Sequence, residues 1–533
     1  MGGVPSASGT VHERVRAWAV RAPDATAVSW AGESVSYGAL IERADSVRDE
    51  LGAVGGHAVA VRLAPGPRQA AAVLGALSAG AHVVCFGPGD QGERGRAVLA
   101  ELRPRVLIRD GEREAADELA GWYRAELGGR LLDMAESSDE TGLSDETESA
   151  LAATGPAEGA VSGLEARAYV AYTSGSSGVP KGIPQSHAAL AQFVEWLGGH
   201  LGLGPGARVA QWAAPGYDAS LCELFAALTT GATVCPVPER IRAHPEKLTG
   251  WLETEGVTVF QTVPSFARAL LKVLADGRAR NLGRLTDVLL AGEPLPGELA
   301  GGLRAALPAV RLTNLYGPTE TILATCHPVT GPVDGIVPIG RAIHGRRVLV
   351  LDQDDRPCPP GAEGQIVLHS PYVTPGYVGA AAGHRDPFRP PVPAPPGDPG
   401  WDGGGRWYRT GDLGRLRTDG TLEFAGRADE QIKFLGIRLE LTDIEMALEA
   451  LDSVRQCAVV PQTDPDGLVT GLVAYIVPVH EPARPATWRA QLRRRFGAAM
   501  PPVSFETVPR LPRNAGGKVD RHRLRSLNMS PVG

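Results

Sequence analysis

Residues 173–182 read TSGSSGVPKG, from Thr173 to Gly182, a run of hydroxyl and glycine residues that ends on a lysine. Glycine opens φ > 0 conformations, so backbone N–H groups at Gly175, Gly178 and Gly182 can converge on an anion. Thr173, Ser174, Ser176 and Ser177 add hydroxyl donors and Lys181 adds charge, a set that suits polyphosphate. The segment just before it, residues 166–172 (ARAYVAY), predicts a buried strand, which places the loop at a strand's carboxyl end, where ligands bind in α/β folds. The spacing fails the P-loop pattern of two glycines four residues apart followed by Lys and Ser or Thr, so an ordinary P-loop NTPase is disfavoured.

Working outward, strand and helix patterns alternate. Apolar residues at Leu40, Ala44, Val47 and Leu51 keep helical spacing, and residues 57–63 alternate as a strand. ARVAQWAAP, a helix from about Ser220 to Leu228, ATVCPVP, VTVFQTVP and DVLLAGEPL continue the series. Such alternation predicts an α/β fold of layered, largely parallel sheets. Residues 133–148, acidic, and 386–405, rich in Pro and Gly, read as solvated loops. Near residue 428 the texture changes. Thr442 and Glu445 form a T-x-x-E capping box that opens a helix to about Leu451, strands VRQCAVV and LVTGLVAYIV follow, and a basic helix runs over residues 488–496. The expected division is a large domain over residues 1–428 and a small α+β domain over residues 429–533, with a hinge at Asp429.

The chain of 533 residues, 43% apolar and 21% charged with net charge −7, is too long for one core and has no basic stripe for nucleic acid. No apolar run reaches a membrane span and the first residues lack the apolar core of a signal peptide, so a cytoplasmic protein is expected. Six scattered cysteines with no CxxC argue for reduced thiols and against zinc. Lysine is rare: Lys181, Lys247, Lys272, Lys433 and Lys518 complete the set. Where arginine is the default cation, a retained lysine suggests that a compact point charge is needed.

Four further segments gain meaning jointly: NLYGPTE (Asn314 to Glu320), YRTGDL (Tyr408 to Leu413), GRADEQIKFLGIRLELTDIE (Gly426 to Glu445) and GGKVDR (Gly516 to Arg521). In this order they resemble the adenylate-forming enzymes, and most of all the adenylation domains of nonribosomal peptide synthetases. The likeness runs from VSYGAL near residue 35 through GGKVDR, with GGK in place of the usual NGK. It implies a large α/β domain with a small mobile C-terminal domain, ATP and Mg²⁺ as cofactors, and residue roles as follows. Thr173 to Lys181 would hold the β- and γ-phosphates, Thr319 would contact phosphate and Glu320 would bind Mg²⁺. Tyr316 would stack on adenine, with the backbone of Gly292, Glu293 and Pro294 and the Asn314 amide reading its edge. Asp412 would accept from the ribose hydroxyls and Arg427 would reach ribose or phosphate. Lys518 would bridge the substrate carboxylate and the α-phosphate. Rotation about Asp429 would then withdraw Lys518 and present Lys433 and Gly436 to a thiol tunnel.

The same resemblance assigns the acid. YDAS (Tyr217 to Ser220) matches a segment whose aspartate pairs with the substrate's α-ammonium, so Asp218 would select an α-amino acid. Ala219, Cys222, Gln261, Leu289, Ala291, Leu315, Leu323 and Ala324 would line its side-chain pocket; none is charged, which points to a neutral amino acid of small to medium size. The implied partner is a phosphopantetheinylated carrier protein, with an MbtH-like activator as a further one, in natural-product biosynthesis. With no condensation-domain histidine pair and twelve residues after GGKVDR, the expected form is a free-standing enzyme or an excised domain. The competing readings are an acyl- or aryl-CoA ligase, a D-alanine:carrier ligase and a noncatalytic nucleotide-binding protein.

Overall fold

The computed structural model describes residues 9–88, 92–111, 117–134, 163–173, 180–275, 282–379, 383, 386–391, 405–429, 431–465, 468–479, 485–496, 500–513 and 519–528. Ser174 to Gly178, Lys518, and most of the two segments read as solvated loops lie outside these residues.

Local sequence signals start and stop the main helices. Ser36 caps the helix Tyr37–Leu51 by accepting from the Ala39 N–H, and the chain leaves at Gly52 with φ +63°. Ser186 does the same for His187–Leu201 through Ala189, with Gly202 at φ +68° after it. Leu40, Ala44, Val47 and Leu51 form the buried face of the first of these helices.

Two large sheets carry the N-terminal part. One has six strands, in the order Arg130–Met134, Val106–Asp110, Ala58–Arg62, His82–Phe86, Arg167–Thr173, Lys181–Ser186, parallel except for the last pair. The other has nine, with a parallel centre formed by Arg311–Tyr316, Asp287–Ala291, Val259–Thr262, Arg208–Gln211, Thr233–Pro236 and Thr26–Trp30 and antiparallel edges. A single hydrophobic cluster joins strands of both sheets to the helices Pro67–Ser78, His187–Leu201 and Asp218–Leu228. Coverage on both faces explains one difference from the sequence reading. Ala58–Arg62 is buried at every position rather than alternating, and its Arg62 is neutralised by the buried Asp117.

A four-stranded antiparallel sheet ends at Leu422–Arg427. Beyond it come the hairpin Gln431–Phe434 and Ile437–Glu440, then a three-stranded sheet of Val454–Thr463, Val469–Pro478 and Val503–Thr507. The hydrophobic clusters of this region draw on residues from Ile432 to Leu524 and none earlier, so the small domain has its own core. The expected capping box is not formed. The helix is Leu441–Glu449 with Glu440 at its N-cap, so Thr442 already lies in the first turn. Glu445 instead accepts from the Val459 N–H at 2.7 Å and pairs with Arg521 at 2.6 Å; a charge-assisted partner across the domain wins over a local N–H. Among the described residues, contacts that tie the two domains include Gly436 with Glu293, Arg438 with Glu320, Arg268 with Asp464, and Arg494 of the basic helix Pro485–Phe496 with Glu93.

No helix among the described residues is long and apolar enough to cross a membrane.

Candidate active site

A cavity of about 550 Å³ opens at the carboxyl ends of several strands, where Thr173, Trp212, Gln261 and Ala291 sit, and the hairpin of the small domain closes it with Lys433, Gly436 and Arg438. Strand ends supply this place because the backbone there fans out, leaving N–H groups and loop side chains free for a ligand.

Asp218 stands on the cavity wall in the first turn of the helix Asp218–Leu228, two residues earlier than the sequence placed its start. Tyr217 occupies the N-cap and Asp218 Oδ1 accepts from the Ala219 N–H at 3.0 Å. Burial pushes its carboxyl up to about 6; the Ala219 N–H and the Thr319 hydroxyl pull it down and the Glu320 carboxylate pushes it further up. No cationic side chain among the described residues pairs with it. Ala219, Cys222, Gln261, Ala291 and Leu323 share the wall. Leu289, Leu315 and Ala324 pack behind it, with exposures of 1%, 2% and 0%. Ile322 and Leu323 take φ of +61° and +150°, and Arg346 holds this turn by donating to the carbonyls of Thr321 and Leu323. A β-branched residue in the left-handed region is costly, so the loop that shapes the pocket depends on that buried guanidinium.

The pocket is not free of ionisable groups, contrary to the sequence reading. Glu223, one residue after Cys222 on the same helix, lines the cavity, as does Arg242. Burial pushes Glu223 up to about 8 while its Oε2 accepts from the Ala213 N–H, so it is protonated at neutral pH. Arg242 is paired with Glu239 at 2.6 Å. Only the spacing Asp218, Cys222, Glu223 on one helix could have signalled Glu223; nothing in the sequence marked Arg242.

Of the expected nucleotide residues, Thr173, Gly292, Thr319, Asp412 and Arg427 line the same cavity. Thr173 pairs in register with Lys181 between the antiparallel strands Arg167–Thr173 and Lys181–Ser186. Lys181 is 9% exposed with its Nζ 5.8 Å from the Tyr377 ring. Tyr316 donates its hydroxyl to Asp412 Oδ2 at 2.6 Å, and Arg427 donates to Asp412 Oδ1 and, at 2.6 and 2.7 Å, to Asp429. Asp412 and Arg427 thus form an ion pair that lines the cavity. Asn314 is 1% exposed and spends its NH₂ on the carbonyls of Pro338 and Val337. The Glu293 side chain is used within the protein: its carboxylate accepts from the Ser265 N–H and hydroxyl at the start of the helix Pro264–Ala275, and from the Gly436 N–H at 3.1 Å. Gly292 and Pro294 flank it, half-buried, and Gly292 also lines the cavity.

Thr319 lines the cavity and Glu320, beside it, is 0% exposed. Glu320 Oε1 accepts from the Tyr377 hydroxyl at 2.9 Å, and Arg438 reaches both of its oxygens at 3.3 and 3.4 Å. A carboxylate next to the cavity residue Thr319 is the hard oxygen donor that Mg²⁺ takes, one or two of them plus substrate phosphates, and in this structure Arg438 faces both of its oxygens. Arg438, two residues beyond Gly436 inside a quoted motif, lines the cavity and was also passed over in the sequence reading.

The AMP-binding enzyme family model matches residues 15–378, and that of the AMP-binding enzyme C-terminal domain matches residues 443–518. The chain is 36% identical over 517 residues to phosphinothricin tripeptide synthetase PhsB of Streptomyces viridochromogenes, covering 95% of this chain and 41% of that protein. It is 36% identical over 367 residues to the L-proline–L-prolyl-carrier protein ligase of Pseudomonas fluorescens, covering 67% of this chain and 68% of that one. The structure of holo-PA1221, described as an NRPS protein containing adenylation and PCP domains, shares the fold with a TM-score of 0.78 at 24% identity, over 98% of this chain and 85% of that one. The chain spans less than half the length of PhsB.

Proposed function

Since the chain belongs to the AMP-binding enzyme family, we propose that this ATP-dependent, AMP-forming ligase activates a neutral α-amino acid to its aminoacyl adenylate, releases pyrophosphate, and passes the aminoacyl group to the phosphopantetheine thiol of a carrier protein. The observation that carries the reading is Asp218: a carboxylate on the wall of a 550 Å³ cavity with no cationic partner among the described residues. A buried carboxylate left unpaired is costly, and a substrate α-ammonium removes that cost, which an aryl or fatty acid cannot do.

In this reading the loop from Thr173 to Lys181 grips the β- and γ-phosphates, and the Asp412–Arg427 pair receives the ribose. Lys518 sits between the substrate carboxylate and the α-phosphate. Mg²⁺ on Glu320, when bound, offsets the charge of the phosphates. The residues' part is positioning and charge stabilisation, since the carboxylate is a weak nucleophile at phosphorus. We place the domain boundary at residues 428 and 429. Asp429, held by Arg427 of the last N-terminal strand, serves as the hinge, a role supported by the separate cores on its two sides.

The docked hairpin supports the second half-reaction. Gly436 takes φ +76°, and a Cβ there would stand 2.6 Å from Val263 Cγ1. Gly436→Ala therefore displaces the hairpin from its seat. We expect thioester formation to fall roughly 10²-fold, the scale for an ångström of misplacement, with amino-acid-dependent ATP–pyrophosphate exchange retained. Loss of both together would remove the hairpin from the second step.

The deciding experiment is ATP–pyrophosphate exchange across proteinogenic and nonproteinogenic amino acids with their des-amino analogues. A response to a neutral α-amino acid that disappears in its des-amino analogue is the expected result. Exchange with aryl or fatty acids, followed by thioester formation on free coenzyme A, would overturn it in favour of an acyl-CoA ligase.

A further inference from the structure

Glu320 is fully enclosed, and the cation that compensates it comes from the other domain. Arg438 belongs to the hairpin strand Ile437–Glu440, and its Nη1 lies 3.3 and 3.4 Å from the two carboxylate oxygens. The Tyr377 hydroxyl occupies a further lone pair of Oε1. A Mg²⁺ ion on this carboxylate would sit about 2.1 Å from its oxygen and keep waters and phosphate oxygens around it. That shell overlaps the space of a guanidinium that faces both oxygens, and the two cations repel. Arg438 and the metal are alternatives.

We propose that Arg438 takes the metal's place on Glu320, so that the docked hairpin and the Mg²⁺–nucleotide complex exclude each other. The inference rests on the reading of Glu320 as the metal's ligand. Its consequence is an ordering device. While metal and pyrophosphate are bound, Arg438 has no seat and the hairpin stays out. Once they leave, the enclosed carboxylate is uncompensated until Arg438 enters, and its entry bars metal and pyrophosphate from returning to reverse the first step. Arg438 thus acts as a positioning residue for the second half-reaction. Linkage requires that the factor by which metal weakens docking equal the factor by which docking weakens metal binding.

The Gly436 N–H reports docking, because its acceptor, Glu293 Oε1, lies on the other domain. Hydrogen exchange of a peptide containing Gly436 is measured on the full chain with an α,β-methylene ATP analogue, with and without Mg²⁺. Mn²⁺ affinity in the presence of the analogue is read by electron paramagnetic resonance. In the native protein, Mg²⁺ with the analogue should accelerate exchange at Gly436 about fivefold or more, whereas the metal-free analogue should not. Arg438→Gln should exchange fast without metal and bind Mn²⁺ about fivefold or more tighter, and Arg438→Lys should restore part of both effects. Exchange indifferent to metal while the analogue binds, or Mn²⁺ affinity unchanged in Arg438→Gln, overturns the inference alone. Failure of the analogue to bind under either condition overturns the nucleotide reading and the inference with it. The native protein's metal response needs no variant, so misfolding of a substituted chain leaves the test intact.

Discussion

Lys518→Ala lowers amino-acid-dependent adenylation by about 10² or more while transfer from preformed aminoacyl adenylate to the carrier thiol survives. The magnitude is that of removing one preorganised electrostatic contact from a transition state. The asymmetry follows from the arrangement of the two domains. In the structure the small domain seats Lys433, Gly436 and Arg438 at the cavity, which under the proposed function is the orientation of the second half-reaction. Lys433 stands 5.9 Å from the Tyr316 ring and burial lowers its affinity for a proton, offset by Asp412. A chain with five lysines and an otherwise arginine-based positive charge keeps two of them in this small domain, one in the hairpin and one near its end. Each suits one orientation. Single-turnover measurement of the two half-reactions separates them, and equal loss in both would contradict the alternation.

What the sequence revealed and what it hid divide along a physical line. Local periodicity was legible: the spacing of Leu40, Ala44, Val47 and Leu51 matches the buried face of Tyr37–Leu51, and the strand-like segments that bear Gln261, Ala291 and Thr173 form strands; the helix His187–Leu201, though locally capped by Ser186, was not read. Tertiary electrostatics was not. Glu445 fits the pattern of a capping residue, and only the fold brings Arg521 to it from 76 positions away. Arg346 reads as an ordinary surface cation, yet it is 5% exposed and braces the turn at Ile322 and Leu323. Tyr316 was read as an adenine platform; its hydroxyl bond to Asp412 joins two motifs that the sequence could only set in order. Glu223 and Arg242 both line the cavity, and what sets their acidity is tertiary: burial first, then the Ala213 and Trp212 N–H groups on Glu223 and the Glu239 and Glu223 carboxylates near Arg242.

Asp218→Asn should lower kcat/KM for the cognate amino acid by about 10² to 10³, since removing one partner of a buried, hydrogen-bonded charge pair costs about 2–5 kcal/mol. The asparagine keeps the shape and can still accept from Ala219, so the loss isolates charge from packing. A structural role for Asp218 in starting its helix predicts a different result: destabilisation of about 1 kcal/mol and little change in selectivity, because Tyr217 and not Asp218 holds the N-cap. Acidity separates the two further. Burial raises Asp218 to about 6, so at pH 7 it is mostly ionised and able to pair with an ammonium. As the pH falls through 6 the carboxylate takes a proton, the attraction disappears, and the KM for the amino acid rises with each further unit. The unfolded carboxyl titrates lower, so the same raised value means that Asp218 opposes folding in full above about pH 6, and that this cost shrinks as the pH falls from there toward the ordinary carboxylate range. Weaker substrate binding in acid therefore cannot come from Asp218-linked unfolding, whose sign is opposite. In Asp218→Asn the acid limb of the KM profile should vanish along with discrimination against the des-amino acid; persistence of that limb would assign it to another group and take the ammonium from Asp218.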